Sequence, residues 1–376
     1  MGRKPASLPR RGLFITSARA VALSSALAWA FVSCGGSGGD DVATPSGAER
    51  YPQAAAQGID PRGLESASAT LSANPYTLLL LVERNDVLVM EDYFNGSNAA
   101  SAHDVRSVTK TVMSILVGIA IDQGLIRSVE ETIGDYLTPV VPPLTADKAG
   151  ITIRQLLTMT SGLPWLELGS EEQDYFAFVS SPDPLLWILN RPLEHPPGEV
   201  WNYNTGASHI LSAILTEATG ADAREFAQAH LFGPLDDEVG PWLTDNRGYC
   251  YGGHGVSLRG RTMIKLGRLF LDGGTWQGRL VVSESWVRES TAWRHATGEA
   301  LPWGSGYGYL WWIGRDSRTG LEFTFAVGYG GQFILIVPDR NTTIAAATAW
   351  SGVRDADTNW MLVLRTIVET ILPSLG

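Results

Sequence analysis

The sequence predicts an α/β domain in which one antiparallel sheet is flanked by N- and C-terminal helices and joined to a mostly helical subdomain. Strand patterns cluster at the two ends of the chain: a hairpin at 76–94, and further strands at 307–313, 321–327, 332–337 and 342–348. The middle, from about 128 to 293, is rich in proline, glycine and short amphipathic patterns. Strands this far apart in sequence must share a sheet to bury their apolar residues, which predicts one layered domain.

The individual elements have separate signals. Leucines one heptad apart predict a helix over residues 61–73, and apolar runs on either side of Arg84-Asn85-Asp86 predict the hairpin. Residues 108–122 are apolar on nearly all sides and are followed by Gly124, which predicts a buried helix that ends there. Shorter or later helices are predicted at 151–159, 207–219, 261–271 and about 355–372.

Composition restricts the class of protein. The 376 residues are 44% hydrophobic and 18% charged, with 41 glycines and 20 prolines, which is typical of a globular chain and excludes a disordered or fibrous one. The formal net charge is −11, and because the first 34 residues hold five basic groups and no acid, the remainder carries −16. An acidic body argues against a nucleic-acid partner, which requires a basic surface.

The N-terminus predicts export. A basic start and an apolar run identify residues 1–33 as a signal peptide, too short to be a stable membrane span. The end of the run resembles the bacterial lipobox, with Cys34 as the lipid attachment site, and residues 34–55 contain a glycine-rich tether. We therefore expect a lipoprotein of the bacterial cell envelope, anchored to a membrane, with the folded domain at 56–376. The alternative is an ordinary secreted protein with a free cysteine.

Candidate chemistry lies in Ser107-Val108-Thr109-Lys110. At the start of a helix, positions i and i+3 share a face, so the serine hydroxyl and the lysine amine can come within hydrogen-bonding distance. Burial in an apolar helix lowers the pKa of a lysine, and a neutral amine can activate a serine. The alternative is structural: a serine that caps the helix and a lysine that extends to solvent.

Two more segments strengthen the enzymatic interpretation. Tyr203 is on a proline- and glycine-rich loop that enters a predicted helix, where its phenol could relay a proton. Gly330 and Gly331 precede a strand beginning at Gln332, where backbone N–H groups can approach a ligand closely. Each segment alone also fits a structural role, as a half-buried phenol or a turn. Their order after the serine–lysine pair favours a catalytic site.

With these motifs, the chain resembles the serine hydrolases of the β-lactamase, penicillin-binding-protein and esterase superfamily, and most closely the branch of 6-aminohexanoate-dimer hydrolases and related esterases. The likeness covers roughly residues 74–372, including the stretches 151–165 and 266–276. It implies a β-lactamase-like fold and a serine hydrolase that cleaves a carboxylic ester or amide without metal or cofactor.

The resemblance also implies roles for residues. Ser107 would be the nucleophile that forms an acyl-enzyme, Lys110 its base, and Tyr203 a proton donor to the leaving group. The backbone N–H groups of Ser107 and Gln332 would form the oxyanion hole. Substrate would be bound by residues of the third motif, by the residue two positions after the tyrosine, and by tryptophans that wall an apolar acyl pocket: Tyr329, Gly330, Gly331, Thr205, Trp165 and Trp312.

Two positions depart from the family pattern. Thr205 stands where asparagine is frequent, which removes an amide that could recognise substrate. Tyr329 stands where penicillin-recognising members carry lysine or histidine, and a neutral phenol cannot pair with a substrate carboxylate as a cation does. β-Lactamase or DD-peptidase activity is therefore the alternative to ester or amide hydrolysis.

Other interpretations remain open at this stage. Acyl transfer would use the same residues, and a non-catalytic, penicillin-binding-like surface lipoprotein would keep the fold alone. The histidines lack metal-ligand spacing, so no metal site is predicted. His254 could line the cleft, although a plain loop histidine fits as well, and Tyr175 could lie on a cleft loop beside an acidic stretch.

Overall fold

A computed structural model describes residues 47–167, 173–301, 303–351 and 356–376. The predicted signal peptide, Cys34 and most of the tether lie outside the described residues. Within these ranges, no helix combines the length and apolar character needed to cross a bilayer.

The described residues form the strands β1 (Thr77–Arg84), β2 (Val87–Tyr93), β3 (Ala102–Asp104), β4 (Ser257–Arg259), β5 (Thr275–Trp276), β6 (Arg279–Leu280), β7 (His295–Leu301), β8 (Gly304–Tyr307), β9 (Trp312–Arg315), β10 (Glu322–Gly328), β11 (Gln332–Val337) and β12 (Thr342–Thr348). Eight of them form the main antiparallel sheet, in the order β2-β1-β12-β11-β10-β9-β8-β7. The other four are short and pair outside it, β3 with β4 and β5 with β6. N-terminal strand β1 pairs directly with C-terminal strand β12, so the predicted joining of distant strands is confirmed.

The helices flank this sheet and fill most of the described part of 128–293. They are α1 (Gly47–Arg50), α2 (Pro61–Ser72), α3 (Val108–Asp122), α4 (Ile133–Leu137), α5 (Ala146–Ala149), α6 (Ile153–Leu157), α7 (Gln173–Val179), α8 (Pro184–Asn190), α9 (Thr205–Thr219), α10 (Ala223–Ala227), α11 (Gly260–Leu271), α12 (Glu284–Thr291), α13 (Ala356–Thr366) and α14 (Leu372–Ser374), with 3₁₀-helices at Ala55–Gln57 and Pro338–Arg340 and π-helical turns at Gln228–Phe232 and Ile367–Ile371. The predicted buried helix coincides with α3.

The predicted hairpin is confirmed, and its turn has a simple cause. Asn85 and Asp86 join β1 to β2 with φ of 53° and 64°, and two consecutive positive φ values are typical of the tight turn whose twist matches antiparallel strands. Asparagine and aspartate tolerate this backbone conformation better than most residues.

The strand predicted at 307–313 is wrong in one respect, because the chain turns within it. β8 ends at Tyr307 and β9 begins at Trp312, with Leu310 at a φ of 59° between them. Leu310 donates its N–H to the Leu157 carbonyl, and Thr111 donates its hydroxyl to the Leu310 carbonyl at 2.9 Å. The turn is therefore stabilised by distant contacts that a local pattern does not reveal.

Strands β1, β11 and β12 of the sheet are buried on both faces. Leu79 and Leu81 of β1 lie against Gly260 at the start of α11, whereas Leu80 and Val82, which point the other way, are equally buried. α2 packs against β1 and the C-terminal helices. A strand covered on both faces is almost continuously apolar, which explains why β1 reads Thr-Leu-Leu-Leu-Leu-Val.

Helix α3 is the central element of the fold, and it packs against both the sheet and α9. The segment that leads into it is fixed on two sides. Val105 donates its N–H to the Val256 carbonyl, and the Val105 carbonyl lies so close to Gly328 of β10 that a Cβ there would be 2.3 Å away. The start of α3 is thus held beside the end of β10.

Gly118 of α3 tests this packing. An ideal Cβ at this position would lie 2.4 Å from the Trp286 ring of α12. Helix propensity alone predicts that Gly118→Ala stabilises the protein by about 1 kcal/mol, whereas crowding in a packed core predicts a loss of about 1–3 kcal/mol. We expect the loss, measured by urea unfolding. Ser66→Ala, on the exposed side of α2, should change stability little, and an increase for Gly118→Ala would contradict the packing.

Candidate active site

Ser107 immediately precedes α3, and its hydroxyl does not bind the backbone of the helix. Its backbone is helical (φ −70°, ψ −5°), and its side chain makes no capping hydrogen bond to the first turn. The preceding residue, Arg106, has a φ of 49°, and its N–H is accepted by Asp104 Oδ1 at 2.8 Å. The capping alternative for Ser107 is therefore wrong, and the hydroxyl is turned toward Lys110.

Lys110 is buried with its amine inside the protein. Its Nζ lies 2.9 Å from Ser107 Oγ, 2.7 Å from Thr205 Oγ1 and 3.1 Å from the Gly253 carbonyl oxygen. Its relative exposure is 1%, so it does not extend to solvent as the structural alternative required. Burial lowers the pKa of Lys110 to about 8; the carboxylate of Glu167 opposes this fall, and the guanidinium of Arg106 adds to it.

The Tyr203 ring lies next to the lysine amine. Lys110 Nζ lies 4.7 Å from the centroid of the Tyr203 ring, and the ring packs 5.6 Å from that of Trp312. Burial raises the pKa of Tyr203, the negative charge of Glu167 raises it further, and the Ser107 side chain counters part of the rise. The phenol therefore keeps its proton and is suited to donate it rather than to act as a base.

The loop that carries Tyr203 is held by the stretch after α6. Asn202 donates its N–H to the Met159 carbonyl, and its amide donates to the Trp165 carbonyl at 3.0 Å. Asn204 caps α9 by accepting from the Ala207 N–H at 2.9 Å. This cap fixes where α9 starts, and hence where Thr205 points.

Thr205, predicted to contact substrate, lies beside the lysine amine. Its side chain is buried, and its hydroxyl lies between Lys110 Nζ and Glu167 Oε1, at 2.7 Å and 2.8 Å. The hydroxyl is thus occupied by the lysine and the glutamate rather than free for substrate. Glu167 was missed by sequence reasoning, since a single glutamate after Trp165-Leu166 has no distinctive spacing.

The third motif forms the turn between β10 and β11. Gly330 and Gly331 have φ of 83° and 118°, a backbone conformation that side chains with a Cβ disfavour. The Gln332 side chain is buried and donates to the Thr348 carbonyl at 2.9 Å, which fixes the start of β11. Tyr329 is 41% exposed at the tip of the turn. The assignment of the Ser107 and Gln332 N–H groups to an oxyanion hole stays a prediction.

The two tryptophans have separate environments. Trp312 contacts Tyr203, Trp201 and Tyr307 in a buried aromatic cluster beside the lysine amine. Trp165 packs edge-on against Phe178 and Trp187, and its Nε1 donates to Glu167 Oε2 at 2.6 Å. Both are nearly buried, so whether either contacts an acyl group stays a prediction.

A second group of side chains lies around Arg106. Its guanidinium donates to the Tyr175 phenol oxygen at 2.7 Å and lies 4.2 Å from the Trp350 ring centroid. Tyr175 in turn contacts His254 edge-on. His254 is buried and stacked on Tyr251, so it is not an ordinary loop histidine, and burial holds its pKa well below the usual range.

Comparisons with known proteins show the family of the chain. A model of the beta-lactamase family matches residues 72–366. The chain belongs to the beta-lactamase family. The 6-aminohexanoate-dimer hydrolase of Paenarthrobacter ureafaciens is 26% identical over 291 residues, covering 72% of each chain. The resemblance inferred from the motifs is therefore confirmed.

Two solved structures share the fold. The octameric penicillin-binding protein homologue from Pyrococcus abyssi has a TM-score of 0.64 at 17% identity, covering 83% of this chain and 78% of its own. EstCE1, a hydrolase with promiscuous acyltransferase activity, has a TM-score of 0.65 at 16% identity, covering 86% and 99%. At these identities the likeness establishes the β-lactamase-like fold and nothing finer.

In this beta-lactamase-family site, the short Lys110–Ser107 contact predicts a pH dependence. Only the neutral amine can accept the serine proton, so reactivity should be low below the pKa of Lys110 and rise as pH increases through about 8. We expect the rate of inactivation by a fluorophosphonate to rise about tenfold per pH unit below that midpoint and then to level off. Lys110→Arg, which stays charged, should react slowly at every pH. A flat wild-type profile would contradict this account.

Proposed function

We propose that the protein is a serine hydrolase that cleaves a carboxylic ester or amide through an acyl-enzyme on Ser107. The observation that carries the proposal is the buried Lys110 amine, 2.9 Å from Ser107 Oγ and with its pKa lowered to about 8. A serine hydroxyl is a weak nucleophile on its own, and a neutral amine at this distance can act as the base that removes its proton. Family membership supports a hydrolase of this class.

The first half of the reaction forms the acyl-enzyme. Ser107 Oγ attacks the substrate carbonyl carbon while its proton moves to Lys110 Nζ. The resulting oxyanion would be held by the N–H groups of Ser107 and Gln332. The tetrahedral intermediate then expels the alcohol or amine, which takes a proton from Tyr203, and the phenolate recovers its proton from the Lys110 ammonium.

The second half releases the acid. Water attacks the ester carbonyl of the acylated serine and gives up a proton to the neutral Lys110, and the serine oxygen leaves with a proton returned from the same site. All groups regain their initial protonation states. Another nucleophile in place of water would give acyl transfer, and promiscuous acyltransferase activity is the property named for EstCE1.

Two residues, Tyr329 at the rim of the site and Thr205 inside it, favour ester or amide substrates over β-lactams. Tyr329, at the tip of the β10–β11 turn, supplies a neutral phenol where penicillin-recognising relatives carry a cation. The Thr205 hydroxyl is engaged by Lys110 and Glu167. The relative from Paenarthrobacter ureafaciens is named for hydrolysis of an aminohexanoate dimer, which supports amides as one substrate class.

We further propose that the enzyme acts in the bacterial cell envelope as a lipoprotein attached through Cys34. The basic and apolar N-terminus and the glycine-rich tether support this location.

The direct test is covalent labelling with peptide mapping. We expect a fluorophosphonate to label Ser107 of the purified protein, a fluorescent penicillin not to do so, and Ser107→Ala to lose at least about 10³-fold of its turnover of a chromogenic ester. Ser114→Ala is the matched control, because Ser114 lies on the same helix and its buried hydroxyl has no hydrogen-bond partner among the described residues.

Each other outcome selects a different account. Labelling by both reagents would restore β-lactam chemistry as the leading alternative. Labelling by neither, with no ester turnover, would favour a binding protein that keeps the fold. Full activity in Ser107→Ala would show that the nucleophile is another residue.

A further inference from the structure

Glu167 is a carboxylate behind the catalytic lysine, and both of its oxygens are engaged. Oε1 accepts the Thr205 hydroxyl at 2.8 Å, whereas Oε2 accepts the Thr205 N–H at 3.2 Å and Trp165 Nε1 at 2.6 Å. Thr205 is the first residue of the fifteen-residue helix α9, so the carboxylate also lies at a helix N-terminus, where negative charge is stabilised. These contacts hold the Glu167 carboxylate on the far side of the Thr205 hydroxyl from the Lys110 amine.

The direction of these hydrogen bonds follows from the chemistry of the groups. An ionised carboxylate only accepts, so the single proton of the Thr205 hydroxyl must point to Glu167. Toward Lys110, therefore, the Thr205 oxygen can only accept. The Gly253 carbonyl, 3.1 Å from Nζ on another side, also only accepts.

A neutral lysine amine has two N–H bonds and one lone pair. Thr205 and Gly253 take the two N–H bonds, at 2.7 Å and 3.1 Å. The third hydrogen-bonding partner of Nζ among the described residues is Ser107 Oγ at 2.9 Å, so the lone pair faces the serine hydroxyl. In this orientation the amine accepts the serine proton.

Without the carboxylate, the Thr205 hydroxyl could rotate and donate its proton to the amine. The lone pair of Lys110 would then be occupied by Thr205 rather than directed at Ser107. We propose that Glu167, acting through Thr205, is a positioning residue that fixes the hydrogen-bond direction and so turns the lone pair of Lys110 toward Ser107. This inference rests on the proposed function of the same site.

Glu167 has a second effect, through its charge. When Lys110 takes the serine proton, a buried ammonium forms, and a carboxylate one hydroxyl away stabilises it. The same attraction raises the pKa of Lys110 against the lowering by burial and by Arg106. The other titratable groups around the amine are Tyr203, which keeps its proton, and His254, whose pKa is held well below its usual range by burial.

Close packing around Gly253 fixes the positions of the two acceptors of the lysine amine. A Cβ at Gly253 would lie 2.7 Å from Thr205 Cγ2 and 3.4 Å from Lys110 Nζ, so only glycine lets this carbonyl approach the amine. The two acceptors of the lysine are therefore held in contact with each other, from α9 and from the loop before β4.

The test compares Glu167 and Thr205 variants by the pH profile of fluorophosphonate inactivation. For Glu167→Gln we expect the high-pH plateau to fall about 10- to 100-fold. The single amide oxygen is required by the Thr205 and Trp165 N–H groups, so the amide NH2 faces the Thr205 hydroxyl and the lysine amine is misoriented. The midpoint should move to lower pH, because a negative charge near the lysine is lost. Thr205→Val should lower the plateau similarly, and adding it to Glu167→Gln should cost little more, because both act through one relay.

Two controls keep the inference open to contradiction. Thr205→Ser keeps the hydroxyl and should retain most of the wild-type plateau. Glu199→Gln removes an exposed carboxylate from the loop that carries Tyr203 and should change neither plateau nor midpoint. Thermal unfolding of each variant separates a loss of fold from a loss of reactivity, and if Glu167→Gln does not fold, the comparison of Thr205→Val with Thr205→Ser decides.

The inference and the proposed function fail in different ways. If the wild-type protein is not labelled at Ser107, the proposed function is wrong. If the wild type is labelled and Glu167→Gln keeps its plateau with a shifted midpoint, Glu167 supplies charge only and the positioning role is wrong. An equal loss in Thr205→Ser and Thr205→Val would also overturn it.

Discussion

The burial of a lysine amine is the constraint on which this site depends. Moving an ammonium out of water is costly, so the amine must either find acceptors or lose its proton. Lys110 does both: its two acceptors, Thr205 and Gly253, come from distant parts of the chain, and its pKa falls to about 8. The result is a base that can be neutral near physiological pH and that has one lone pair left for Ser107.

Several elements meet to create that environment. α3 brings Ser107 and Lys110 within one helical turn, α9 brings Thr205, and the loop before β4 brings the Gly253 carbonyl. The β10–β11 turn lies beside the same end of α3, because Gly328 packs on the backbone of Val105. The eight-stranded sheet, in which β1 from the N-terminal part pairs with β12 from the C-terminal part, holds these distant segments in fixed positions.

The sequence predicted those parts of the fold and of the site that depend on residues close together in the chain. Serine and lysine three residues apart in an apolar helix indicate a shared face and a buried amine, and Asn85-Asp86 between apolar runs indicates a hairpin. The turn at Leu310, the burial of His254 and the role of Glu167 depend on contacts between distant segments. Thr205 shows this most clearly: the residue was identified, but the direction of its hydroxyl is set by Glu167 and Lys110 together.

The central claim is that the Lys110 amine is neutral when it acts on Ser107, and its titration can be observed directly. The chain has only four lysines, so the ¹³Cε signal of Lys110 in selectively labelled protein can be assigned by its loss in Lys110→Arg. The account predicts that this signal titrates with a pKa of about 8. A midpoint near the ordinary lysine value of about 10.4 would contradict it.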